Sequence, residues 1–116
     1  YRMDHAYKRH RYWLPPGQEL SKLPSEYFRE HIYTTFQDHW IAFKMVEHVN
    51  HQRLLWANDF PHSDSTWPWS QEMLDEHAAN LTDEQAKDIL CNNTAELYEI
   101  DLAALPIGGD GLAATL

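Results

Sequence analysis

The run Leu54-Leu55-Trp56-Ala57 is continuously apolar and stops abruptly at Asn58-Asp59-Phe60-Pro61. A strand exposed on one face alternates apolar and polar residues. An uninterrupted apolar run inside "RLLWAN" (53–58) instead predicts a parallel strand covered on both faces. This requirement confines the chain to α/β architectures, because parallel strands need crossover connections that lay helices on the sheet. A second strand is predicted over "IYTTFQ" (32–37), which is β-branched and aromatic. Between them, Asp38 reads as a helix N-cap. The helix that follows would carry Ile41, Met45 and Val49 on one stripe, with Ala42 and Val46 beside it and Lys44, Glu47 and His48 toward water.

The flanking segments fill out this order. Residues 1–14 give a weak helical pattern, "LPPGQELSKLP" (14–24) is a loop, and Ser25 is placed to cap a short helix over "EYFREH". A helix is expected over 69–80, with Trp69, Met73 and His77 on one side and Leu74 and Ala78 adjoining. Thr82-Asp83-Glu84-Gln85 has capping-box spacing for another, whose apolar positions are Ala86, Ile89 and Leu90. Residues 93–100 add a further helical turn or two. "LPIGGDGLAATL" (105–116) has little to pack and reads as a loosely held tail, leaving 1–104 as the domain portion. The result is a βαβα unit with two bare sheet edges, a poor sheet by itself, which suggests part of a larger α/β sheet or barrel. The chain opens on Tyr1 without a Met or a signal-like segment, and is expected to be a truncated or split piece of something longer.

Bulk properties exclude several function classes. The net charge of −9 and the absence of a basic run beyond "YKRHR" (7–11) argue against nucleic acid. No apolar stretch reaches the roughly 20 residues that span a bilayer, so no membrane role is expected. A single cysteine, Cys91, rules out an internal disulfide framework, reads as a small buried or half-buried hydrophobe, and fits a reducing, cytoplasmic setting. Two glycosylation-like triplets, at 80–82 and 92–94, are read as chance. No G-x-G-x-x-G, P-loop, G-x-S-x-G, H-x-H or H-E-x-x-H is present. His48 and His51 near a helix end read as surface or helix-dipole residues.

Parallel α/β folds place their chemistry at the carboxyl ends of strands. Asp59 stands one residue past the predicted strand. Its carboxylate could ligate a divalent metal and accept a proton from an attacking water, or could simply begin a turn. His62 and Asp64 follow in the same loop and could ligate or orient substrate, or serve as ordinary loop residues.

Three separated motifs carry a resemblance. "PSEYFREHIYTTFQD", "RLLWANDFPHSDSTWP" and "ILCNNTAELYEID" occur in the order found in the C-terminal part of the amidohydrolase-related family of metal-dependent TIM-barrel proteins, nearest the branch of aminocarboxymuconate semialdehyde decarboxylase and its related decarboxylases and hydrolases. The likeness spans 24–101. It implies that 32–37 and 53–58 resemble barrel strands seven and eight, so that the chain is about the last two βα units of a (β/α)8 barrel. It implies that Asp59 is the metal-binding and catalytic aspartate and that His62 borders the substrate pocket. Asn58 stands where a small hydroxyl residue is usual, and Asn92 where Gly is common. The implied cofactor is a divalent metal, with zinc expected, and the implied substrate a small carboxylate-bearing or cyclic molecule. The family's other ligating histidines have no counterpart here. A barrel of this kind needs about 250 residues and a catalytic zinc about three protein ligands. Taken alone, the chain is therefore expected neither to bind metal tightly nor to turn over substrate. Its expected partner is the missing N-terminal part of the barrel or another subunit. The alternative is a non-catalytic piece that associates, with itself or a partner, through its sheet edges and through Trp56, Trp67, Trp69, Tyr33 and Phe36.

Overall fold

The structure, a computed structural model, describes residues 1–105. The expected tail therefore lies, but for Leu105, outside the described residues. The described residues divide into two compact units, one of residues 1–32 and one that begins at Tyr33.

The first unit pairs α1 (Arg2–His10) with α2 (Pro24–His31), joined through a 3-10 turn at Arg11–Trp13 and an irregular loop. It holds no buried apolar residue in either helix, so polar links organise it. Asp4 accepts from the Ser25 amide at 2.8 Å and from its hydroxyl at 2.7 Å. Tyr7 Oη accepts from the Leu20 amide at 2.8 Å. Ser25 is therefore not the N-cap expected. Pro24 takes the first helical position, where its missing N–H is no loss, and the Leu23 amide donates to Glu26 at 2.7 Å. The two hydrogen bonds from Ser25 hold the Asp4 carboxyl below its usual range.

The second unit is built on two parallel strands, β1 (Thr34–Phe36) and β2 (Leu54–Trp56), paired Thr34 to Leu54, Thr35 to Leu55 and Phe36 to Trp56. Both are shorter than the sequence suggested, because Arg53 belongs to a 3-10 turn (His51–Arg53) and the chain turns away after Ala57. Successive strand residues face opposite sides. Leu54 and Leu55 are both buried, so β2 is covered on both faces as its apolar run required.

The crossover differs from expectation. Asp38 does not cap; its carbonyl accepts from the Trp40 amide, and His39 occupies the N-cap position without a side-chain bond. The helix breaks at Met45 into α3 (Trp40–Lys44) and α4 (Val46–Val49). The break moves the buried face from Ile41 and Met45, both exposed, to Phe43 and Val46. Phe43 meets Phe36 edge-to-face, with centroids 5.0 Å apart. These residues form the core with Leu54 and Ile89, flanked by Leu74 and Ala78.

α5 (Ser70–His77) is followed by α6 (Asp83–Lys87), a π-helical turn (Asp88–Asn92) and α7 (Asn93–Leu97). Thr82 caps α6 as its spacing predicted, accepting from the Gln85 amide at 3.2 Å while its own amide donates to Gln85 Oε1 at 3.0 Å. In the π turn the Asn93 amide reaches back to the Asp88 carbonyl. Asn93, a buried polar side chain, donates to the His51 carbonyl at 2.7 Å and the Leu54 carbonyl at 2.9 Å. It thereby ties the final helix to the start of β2. Among the described residues no helix is long and apolar enough to cross a membrane.

Candidate active site at the carboxyl ends of the strands

The ladder ends when the Ala57 amide donates to the Phe36 carbonyl at 3.0 Å. Asn58 then turns the chain: its Oδ1 accepts from the Phe60 amide at 3.1 Å, an Asx turn. Asp59 follows with φ +60°, a left-handed conformation that Asn and Asp adopt more readily than other side chains. The Asn58 carbonyl also gathers the far end of the loop, accepting from Ser65 Oγ at 2.7 Å and from the Thr66 amide at 3.0 Å. Ser65 Oγ in turn accepts from the Trp67 amide at 3.1 Å. Residues 58–67 are thus a loop closed at its own neck. Gln37, just past β1, anchors it further by donating to the Asp64 carbonyl and carboxylate, both at 3.3 Å.

Within this loop Asp59 and His62 meet. Asp59 Oδ1 and His62 Nδ1 are 2.8 Å apart, and the His62 amide donates to the Asp59 carbonyl at 2.9 Å. The hydrogen bond and the negative charge of Asp59 raise the His62 pKa above its ordinary value, opposed by slight desolvation and helped by Asp64. Both side chains reach solvent, with 43% of Asp59 and 71% of His62 exposed.

A depression of about 280 Å³ opens here, lined by Thr35, Phe36, Gln37, His39, Ala57 and Asp59. Every lining residue lies at or just beyond the carboxyl end of β1 or β2. Asp59 is therefore on the rim and His62 reaches it through the Asp59 carboxylate. Gln37 and His39 were missed in the sequence. The strand-end argument that singled out Asp59 applies equally to the residues after β1, and would have found them. Of the five aromatics proposed as contacts, Phe36 is buried in the core, Trp56 donates from Nε1 to the Gln37 carbonyl at 3.0 Å, and Tyr33 stacks under Arg53. Trp67 and Trp69 are exposed.

A second group of titratable side chains, His51, Glu84 and Asp88, gathers elsewhere in the unit. His51 lies two residues past the end of α4, near a helix end as expected, but it is not a surface residue: its side chain is largely buried and faces Asp88. Glu84 and Asp88, four apart on one helical run, share a face. That spacing is readable in sequence, but its convergence with a residue more than thirty positions earlier is not.

A family model described as amidohydrolase matches residues 2–100. No curated protein matches the chain.

Proposed function

This chain belongs to the amidohydrolase family, and from that premise we propose that it supplies the last two βα units of a metal-dependent TIM barrel, with Asp59 as a metal ligand and proton acceptor. The observation that carries this reading is the placement of Asp59. Its carboxylate stands at the carboxyl end of a parallel strand, on the rim of a depression shared with the end of the neighbouring strand. Barrel enzymes assemble their sites from such strand ends.

The donor chemistry fits one member of a ligand set. A carboxylate offers about four lone-pair positions, so Asp59 can accept from His62 and still coordinate an ion. The remaining ligands belong to strands outside this pair. A bound divalent metal, zinc by the nature of such sites, would supply Lewis acidity and an activated water. Asp59 would there accept and hold a proton on its carboxylate. His62 fixes the carboxylate's rotamer, and Gln37 and His39 offer polar contacts to a small carboxylate-bearing or cyclic substrate. The branch is that of aminocarboxymuconate semialdehyde decarboxylase and its relatives, in which hydrolysis and C–C cleavage use similar metal ligands.

The test is metal content and turnover in the barrel completed with its remaining strands. Asp59→Ala should remove one metal equivalent and abolish activity, with the fold intact by circular dichroism. Unchanged metal and activity in that variant would overturn the assignment.

A second reading has its own support. Phe60, Trp67 and Trp69 are 61%, 58% and 68% exposed, and the two-stranded sheet leaves an edge on each strand. These surfaces suit association with the rest of a barrel, in the same polypeptide or another subunit, or with a second copy of this chain.

A further inference from the structure

We propose that His51, Glu84 and Asp88 form a structural site for a divalent cation of the zinc class, at the opposite end of β2 from Asp59. One ligand atom from each of the three lies within 4.8 Å of the others. His51 Nε2 and Asp88 Oδ2 are 3.1 Å apart, and these side chains are only 25% and 16% exposed. Yet His51 Nε2, itself sealed from solvent, makes no aligned hydrogen bond within the chain. The two atoms stand in ion-pair range without the alignment of a hydrogen bond. Two ligands of one ion adopt that relation: with bonds of about 2.0–2.1 Å in a tetrahedral shell, neighbouring ligand atoms are about 3.3–3.4 Å apart. An ion there would give the buried nitrogen a bonding partner in line with its lone pair and neutralise two carboxylates in a chain of net charge −9.

The donor set also selects the ion. One imidazole and two carboxylates suit zinc and its first-row neighbours, whereas magnesium prefers an all-oxygen shell. Three protein ligands leave one position for water. The role is structural by location. His51 begins the turn that leads into β2, and Glu84 and Asp88 lie on α6 and the π turn. Asn93 already holds the His51 carbonyl, so the backbone of the site is fixed from a second direction. Binding would fasten the final helical run to the strand that presents Asp59. This modifies the expectation that the isolated chain does not bind metal tightly.

The experiment is calorimetric titration of the full chain with zinc chloride, alongside NMR of its histidine rings. The expected result is one equivalent bound, a rise in thermal midpoint, and a zinc-dependent shift of the His51 ring signals but not those of His62. Losing even an outer partner of a metal ligand costs about 10–100-fold in affinity, so Asp88→Asn should weaken binding by at least about 100-fold. Glu84→Gln changes an exposed side chain with little bearing on folding, and should weaken binding clearly while leaving the metal-free thermal midpoint unchanged. Asp59→Asn should bind as the parent does, which separates this site from the proposed active site. No uptake by the folded chain, or uptake unaffected by both Glu84→Gln and Asp88→Asn, would overturn the proposal.

Discussion

At Asp59 the turn role that sequence reading offered is compatible with the proposed role of its carboxylate. The residue is a turn former, with its backbone in the left-handed region, and the turn is what carries its carboxylate to the rim of the depression. The hydrogen bond to His62 then gives the loop a measurable signature. The folded-state pKa of His62 lies above its unfolded value of about 6.5. The pair's contribution to stability is therefore fully present below that value and is lost as pH rises through the folded one. An NMR titration of the metal-free chain should find the His62 pKa raised, and Asp59→Asn should return it toward the ordinary value. An unchanged titration in that variant would show that the pair does not form in solution. Asn93 is the other residue whose loss should be conspicuous. Asn93→Ala would strip one buried and one part-buried carbonyl of their donor, for a destabilisation of about 2–6 kcal/mol at roughly 1–3 kcal/mol for each group left unpaired, read as a lower urea midpoint. Asp59 was legible in sequence because a single apolar run points at it. Asn93's partnership was not, because nothing local records that its side chain spans some forty positions to reach the turn before β2.

Elements were legible where local chemistry and tertiary packing agreed. The two strands, their parallel pairing and the capped start of α6 follow from β-branched content, an unbroken apolar run and the Thr82–Gln85 spacing. Thr82→Ala should cost about 1 kcal/mol in unfolding free energy, the usual worth of an N-cap side chain, with the sheet unaffected by amide exchange. The crossover was misread for a physical reason. In segments of four and five residues, a helical stripe is defined by only two or three side chains, so 41/45/49 and 43/46 are equally periodic on paper. Packing of Phe43 against Phe36 chooses the second, and the break at Met45 follows. No side chain of residues 38–39 supplies a cap to resist that choice.

At the scale of the whole molecule, the governing fact is a sheet of two strands beside exposed aromatic rings. Such a surface favours association. Sedimentation of the chain alone should show larger species growing with concentration, and addition of the strands that would complete the proposed barrel should replace them with one defined species. Because the chain carries net charge −9, self-association should strengthen as salt screens repulsion over a Debye length of about 8 Å at physiological ionic strength. Monomeric behaviour at all concentrations and salt levels would contradict this. Five Trp, six Tyr and four Phe in 116 residues are a surplus of aromatics visible in composition; their division between core and surface needed the fold.

The π turn at 88–92 is wider than the α-helical segments on either side of it. Its width determines which side of residues 93–97 meets β2. Deleting one residue there would swing everything downstream by about 100° around the helix axis and carry Asn93 away from the carbonyls it holds. The number of residues in this segment therefore constrains the fold in its own right, beside the buried side chain of Ile89 that it carries.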